Sequence, residues 1–328
     1  MDLKKIRYFL AVVDYGSLTR AAEQLRVAQP ALSLQMRHLE TDCRATLLIR
    51  SPQGVKATEV GKILYRHGRT MLRQLEQARE EIRNGVNTAS GQVVVGLPTT
   101  VAVTLGMPLV KAVREQYPGV RLQLFESQSG YLYELLANNR LDFAVLLRDD
   151  EARGMFLSRL AGEKLYVVGD CGLNEKLRQR DICSLKELQC VPLVLSSRAH
   201  DLRRMVERAF AGAGLQANVI AEVDSLSTTL SLLAEGVACT ILPLSALSAW
   251  GRSSELRLRR IVSPEIVQTV SLCWPETVPL SPAAEAVKEL IGSVAARLVS
   301  DGTWPGATLE SNPGHELIRG RVKALSVC

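Results

Sequence analysis

The sequence predicts an α/β protein with an all-α N-terminal part: a winged helix-turn-helix, a long linker helix, and a body built from two open α/β sheets. Three observations carry this. Residues 17–40, SLTRAAEQLRVAQPALSLQMRHLE, read as two short helices hinged at RVAQ. Residues 58–86 hold one long helical pattern. From Gln92 onward, strand-like runs alternate with amphipathic helical runs in a βαβ rhythm.

The first helix covers 3–14, with Leu3, Ile6, Phe9, Leu10 and Val13 on its apolar side. Gly16 stops it and Ser17 caps the next helix, with Arg20 where a full capping box would place Glu. That helix runs to about Leu25, and Pro30 suits the first position of the third. On the third helix Leu32, Met36 and Leu39 share one face at i, i+4, i+7, which must be buried. The other side presents Ser33, Leu34, Gln35, Arg37 and His38, with Gln29 and Pro30 at its N-terminal end.

Those are residue types that read base edges: Gln pairs with adenine, Arg with guanine, Ser with either, and an outward leucine suits a thymine methyl. Ser17, Thr19 and Arg20 on the preceding helix can reach phosphates. The loop RSPQGVK at 50–56 has the composition of a β-hairpin wing, with Arg50, Gln53 and Lys56 directed along the DNA backbone or minor groove.

In the long helix, Leu64, Gly68, Met71, Leu75, Ala78 and Ile82 follow a strict 4-3-4-3 spacing, the seam of a short coiled coil and so a dimer interface. NGVNTASG at 84–91 ends it as a linker. Strands are expected at 92–97, 120–126, 141–147, 165–169, 191–196, 218–223, 238–243 and 265–274, and a final helix at 282–299. Residues 301–328, rich in Gly, Pro and polar residues, read as a loose tail.

Charge is distributed unevenly. Residues 1–88 hold 15 Lys+Arg and 9 Asp+Glu, a net of +6, while the remainder balances at 25 of each. A basic module that binds a polyanion, joined to a neutral body, fits this pattern. No uninterrupted apolar run reaches eighteen residues, so a membrane span is not expected. The N-terminus lacks the small-residue cleavage site of a signal peptide. Seven cysteines, scattered and without a C-x-x-C pair, suit reduced thiols in a cytoplasm and argue against a disulfide framework or zinc site. His38, His67, His200 and His315 stand isolated in sequence; there is no P-loop and no GxGxxG, so no catalytic residues, metal or cofactor are expected.

The runs SLTRAAEQLRVAQPALSLQMRHLE and LLIRSPQGVKATEVGKILY resemble the N-terminal domain of LysR-type transcriptional regulators. YPGVRLQL at 117–124, LANNRLDFAVL at 136–146 and SLLAEGVACTILP at 231–243 extend the resemblance to about residue 300. Within the family the chain is similar to nitrogen assimilation control regulators, through GSLTRAAEQL, VAQPALS and the wing run. The resemblance implies a winged helix-turn-helix at 1–58, a dimerising linker helix at 59–90 and an effector domain at 91–300. The effector domain would pair subdomain I (about 91–163 and 264–300) with subdomain II (about 164–263), similar in fold to type 2 periplasmic binding proteins.

It also implies DNA, a second copy of the chain in a dimer or tetramer, RNA polymerase and a small effector as partners. Effector residues would be Thr99 and Thr100 after the first strand and Gln128 and Ser129 after the second. Ser196, Ser197 and Arg198 would follow from the other subdomain, with Asp224 and Ser225. A helix start flanked by hydroxyls suits an anion; members of the nitrogen-assimilation type are also thought to work without an effector. The chain departs from the family at Leu34, where many members are polar, at DCRATLLIR (42–50), and in its extra tail. A solute receptor or an enzyme built on the same two-lobed α/β body would need export or catalytic residues, and the sequence offers neither. A nucleoid protein without sequence preference fits poorly with the outward Gln, Ser and Arg.

Overall fold

The computed structural model describes residues 1–84, 89–148, 154–248, 250, 255–276 and 278–309. The chain divides into two compact units, residues 1–88 with 137–140, and the remainder. In the first unit lie α1 (Leu3–Tyr15), α2 (Leu18–Leu25), α3 (Gln29–Cys43), β1 (Leu48–Ser51), β2 (Gly54–Ala57) and α4 (Glu59–Asn84). Asp2 caps α1 by accepting from the Lys5 amide at 2.8 Å, and Ser17 caps α2 by accepting from Arg20. Leu32, Met36 and Leu39 are buried as their spacing requires, together with Ile6, Phe9, Leu10, Ala21, Ala22 and Leu47. On α1 the apolar stripe differs at its ends: Leu3 is exposed beyond the reach of the other helices, and Val12 takes a core position.

The wing is a hairpin with a two-residue turn, pairing Ser51 with Gly54, and it is fastened close to that turn. The Val55 amide donates to the Gly16 carbonyl at 2.8 Å, and a Cβ on Gly54 would lie 2.6 Å from that same oxygen. Gly54, at φ +124°, is therefore needed for both its conformation and its lack of side chain. Of the linker expected at 84–91, residues 85–88 lie outside the described residues.

The second unit contains β3 (Gly91–Leu97), α5 (Thr99–Gln116), β4 (Val120–Glu126), α6 (Ser129–Ala137), β5 (Phe143–Leu146) and β6 (Met155–Val168). It continues through α7 (Glu175–Arg178), β7 (Ile182–Cys183), α8 (Leu185–Leu188), β8 (Leu193–Leu195), α9 (Asp201–Gly212), β9 (Val219–Glu222) and α10 (Leu226–Ala234). β10 (Thr240–Pro243), a 3-10 turn at Leu244–Leu247, β11 (Leu258–Ile261), β12 (Val267–Pro275), α11 (Pro282–Ser300) and β13 (Ala307–Thr308) close it.

Two lobes result. In the first, β3 runs parallel to β4 and β5, while β12 pairs antiparallel with β5 and β6 over a core of Val93, Val95, Leu105, Phe143, Leu272 and Ile291. In the second, the far end of β6 pairs antiparallel with β10 and β11 over Leu165, Leu193, Val206, Phe210 and Ile241. Strands of both lobes are thus hydrogen-bonded into one path through β6, while β8 and β9 pair parallel as a separate two-stranded sheet.

The sequence reading places a strand only at 165–169, whereas β6 starts at Met155. Its first half, MFLSRLAGEK, lacks clean alternation because Leu160–Glu163 are buried in succession and the ladder with β12 shifts register at Val270/Ser271. The loose tail expected from 301 is also corrected over its first nine residues. Residues 301–309 are folded against β6, with Trp304 only 1% exposed, because an indole that can reach a buried acceptor gains by burial. Residues 310–328 lie outside the described residues. Among the described residues no helix is long and apolar enough to cross a membrane.

Candidate nucleic-acid interface and ligand cleft

The turn between α2 and α3 is made by Arg26 in the left-handed region, φ +54°, whose amide closes α2 on Ala22 and Glu23. Ala28 then opens α3 with no side-chain cap, and Pro30 occupies its first turn. The start of α3 therefore presents uncapped amides, a site for a phosphate oxygen. Gln29, Pro30, Leu34, Arg37 and His38 are exposed, Leu34 by 48%, while Ser33 and Gln35 are half-buried on the flanks. Thr19 and Arg20 are exposed on α2 beside the capping Ser17.

Arg50 is exposed and lies beside α3. The hairpin register pairs Ile49 with Lys56 and Arg50 with Val55, so the pleat puts Arg50 and Lys56 on opposite faces. Val55 packs on the core, and Arg50 on that same face turns toward α3. There its guanidinium donates to Ser33 Oγ at 3.4 Å and lies 3.8 Å from Glu40. Glu40 in turn accepts the amides of Leu47 and Leu48 at 2.9 and 3.2 Å, bolting α3 to the root of the wing. Lys56 and Gln53 remain exposed, and Ile49, 56% exposed, shares the face of Lys56.

On α4 the expected seam splits. Leu64 packs partly into the core of its own unit, and a Cβ on Gly68 would lie 2.8 Å from Ile6, so this end is occupied by α1. Tyr65 and Arg69 next to it grip Asp14, each at 2.5 Å. Further along the same stripe Met71, Ala78 and Ile82 are exposed, Ile82 by 85%, and Leu75 is half-buried. The coiled-coil spacing therefore serves the internal core first, and the uncovered apolar stretch runs from Met71 to Ile82.

Between the lobes of the second unit lies a cavity of about 80 Å³. Thr99, Thr100, Gln128, Ser129 and Ser196 line it, as expected. Ser197, Arg198 and Ser225 do not. Ser197 is held by Asp224, which accepts from its amide at 2.8 Å and its hydroxyl at 3.0 Å. Arg198 turns outward to Glu207 at 3.2 Å. Ser225 is spent capping α10 through the Thr228 amide. Hydroxyls at the ends of strands divide between caps and ligand groups, and sequence alone does not separate the two.

Sequence reasoning missed His200, Asp201, Arg203, Thr229 and Thr240 in the cavity wall. The signal available was position: His200 follows the strand VPLVLS, at the end where open sheets hold ligands. Thr100 Oγ1 and His200 Nε2 are both buried there without a hydrogen-bond partner. His200 Nε2 is 3.1 Å from Asp224 Oδ1, close enough for an ion pair but off the hydrogen-bond direction.

Burial holds the imidazole below its ordinary range, against the pull of Asp224 and Asp201. Arg203, buried, is committed to the Ser196 carbonyl at 2.9 Å and to Glu207 and Glu222. Both α5 and α9 start at this cavity without a side-chain cap, so their free amides face it. A wider groove of about 830 Å³ opens beside it, lined by Tyr133, Arg148, Arg204 and Arg208. Among the described residues no cluster of metal-binding groups occurs.

Comparison with known proteins gives two family matches. Residues 3–62 match the bacterial regulatory helix-turn-helix protein, lysR family, and residues 87–296 match the LysR substrate binding domain. The chain is 38% identical over 304 residues to the nitrogen assimilation regulatory protein nac of Escherichia coli (strain K12), covering 92% of this chain and 97% of that protein. It is 39% identical over 300 residues to the protein of the same name from Klebsiella aerogenes, covering 90% and 96%. Among solved structures, a full-length OxyR variant from Pseudomonas aeruginosa matches with a TM-score of 0.68 at 23% identity, over 90% of this chain and 97% of that one. Full-length CbnR complexed with its target DNA matches with a TM-score of 0.54 at 22% identity, over 90% and 100%.

Proposed function

The chain belongs to the LysR family of helix-turn-helix transcriptional regulators, and from that premise we propose that it reads promoter DNA through the outward face of α3. The observation that carries this is the pairing of an uncapped helix start with exposed Gln29, Leu34, Arg37 and His38 on a helix whose other face is fully buried. Amides at the helix start take a phosphate and set the register. Gln29 and Arg37 supply hydrogen bonds to base edges, and Leu34 meets a thymine methyl. Lys56 and Gln53 lie along the backbone from the wing, while Arg50 holds Ser33 and Glu40 in place.

A second copy of the chain covers Met71 to Ile82, giving a dimer whose two recognition helices meet half-sites related by symmetry. The likeness to the two nac proteins supports promoters of nitrogen assimilation as targets, and a regulator of such promoters works in the cytoplasm beside RNA polymerase.

The deciding experiment is selection of fragmented host genomic DNA on the purified protein at physiological salt, with footprints on the enriched fragments. A few promoters sharing an inverted repeat, half-sites one helical turn or a multiple apart, are expected. Diffuse recovery that only weakens with salt would overturn sequence-specific reading.

The cleft favours a small anion as effector. One buried hydroxyl without a partner, Thr100 Oγ1, and two uncapped helix starts border one small cavity. Its size suits a carboxylate-sized group inside, with the remainder of the ligand in the arginine-lined groove. Titration calorimetry with small mono- and dicarboxylates tests this, and heats unchanged by Thr100→Val would remove the cavity from the site.

A further inference from the structure

The segment DGTWPGATL after α11 is tied down at several points. The Trp304 indole N–H donates to Glu163 Oε1 at 2.8 Å, and the Ser245 hydroxyl donates to the same oxygen. Gln268 Nε2 donates to Glu163 Oε2 at 3.1 Å. β13 pairs Ala307 with Glu163 and Thr308 with Gly162, and the Lys164 amide donates to the Gly306 carbonyl at 3.3 Å. Glu163, Gln268, Ser245 and Trp304 are all buried.

Their position matters more than their number. Glu163 sits where β6 leaves the sheet of the first lobe, two residues before pairing with the second begins at Leu165. Gln268 faces it across the ladder at the point where the chain returns. Ser245 belongs to the turn after β10 of the second lobe, and its carbonyl accepts from Thr104 on α5 of the first, at 3.2 Å. One carboxyl therefore binds donors from the return strand, the inter-lobe turn and the C-terminal segment at the crossover itself.

We propose that residues 301–309 form a strap across the crossover, buckled by Trp304 on Glu163, so that the lobes change their relative angle only when the strap moves with them. A change of angle twists β6 near residues 161–165, and β13 rides on residues 162 and 163 of that stretch. Letting go of the indole would leave a buried carboxyl short of a donor, which sets β6 and the strap moving as one unit. Gln268 Oε1 is buried without a partner. A Gln268 amide turned over can therefore accept from a protonated Glu163 or from a glutamine in its place, and the buckle survives either change.

Hydrogen exchange on the full chain, followed by mass spectrometry, tests this without DNA or effector. Trp304→Phe keeps the bulk and removes the donor. Exchange about tenfold faster is expected at 161–166, at 244–248 and in the strap together, the factor that one lost hydrogen bond carries. Glu163→Gln is expected to stay near the parent protein. Acceleration confined to 301–309 would overturn the proposal and leave those residues a passive tail. Should Trp304→Phe fail to fold, native-state exchange of the unaltered protein in low urea replaces it. The amides of Lys164, Trp304 and Ala307 are then expected to open with one shared urea dependence, and separate, earlier opening of the strap would overturn the coupling.

Discussion

The start of α3 and the starts of α5 and α9 are the same device used in two settings. Each lacks a side-chain cap and so keeps free amides. At α3 the neighbouring Gln29, Pro30 and Ala31 are exposed, and solvent and salt compete with whatever binds there. At α5 and α9 the starts wall a cavity of about 80 Å³ that also holds the unpartnered buried hydroxyl of Thr100. The open version suits a long polyanion gripped at many points, and the enclosed version suits one small anion bound with little screening. Ionic strength separates them. Raising salt from about 50 to 200 mM should weaken DNA binding by orders of magnitude, while affinity for a small anion in the cleft falls far less.

The largest expected effect removes one side of the comparison. A Cβ on Gly61 would sit 2.1 Å from the Leu47 carbonyl oxygen, a backbone atom that cannot step aside. Gly61→Ala should cost the first unit about 3 kcal/mol or more in denaturant unfolding and abolish DNA binding. Next, Arg37→Ala and Gln29→Ala should each lose roughly 1–3 kcal/mol of affinity for a selected site and relax preference at one base, with nonspecific binding less changed. Equal affinity for selected and random DNA after either change would take that residue off the base edges.

Thr100→Val is expected to weaken binding of a small carboxylate about tenfold in calorimetry, one hydrogen bond's worth, with DNA affinity in the absence of ligand unchanged. Ser17→Ala should cost about 1 kcal/mol of unfolding free energy through the lost cap of α2. The smallest effect concerns pH. Burial raises the Glu163 carboxyl above its ordinary range, against the Ser245, Trp304 and Gln268 hydrogen bonds. The folded chain then keeps a proton that the unfolded chain releases, so this stabilisation is full below the ordinary carboxylate range. It is lost as pH rises through the raised value. Glu163→Gln should flatten that slope in thermal unfolding, and an unchanged slope would mean that the carboxyl is ionised when folded.

Much of the first unit was legible because its helices obey one periodicity and bury one face each. Leu32, Met36 and Leu39 follow from spacing alone, and so does the exposure of Arg37 and His38. Less legible were the surroundings that a distant partner sets. The pleat brings Arg50 against Ser33 and Glu40, which spacing along the chain does not show. The α4 stripe read as one seam, although α1 claims its first part through Gly68. His200 was set aside as isolated, since sequence distance says nothing about Thr100 across the cleft. Trp304, in a stretch with the composition of a tail, is buried by an acceptor far upstream in the chain.

The fastening of the wing has a practical side. The Val55 amide ties the turn end of the hairpin to the Gly16 carbonyl, Gly54 permits that approach, and Glu40 holds the root of the other strand, so only the side chains of Pro52 and Gln53 stand clear. Those two side chains can change without touching the body, whereas the length of the turn is fixed by the contact at Gly54. Exchanging residues 52 and 53 for other types becomes a route to wings of altered surface chemistry on an unchanged α3.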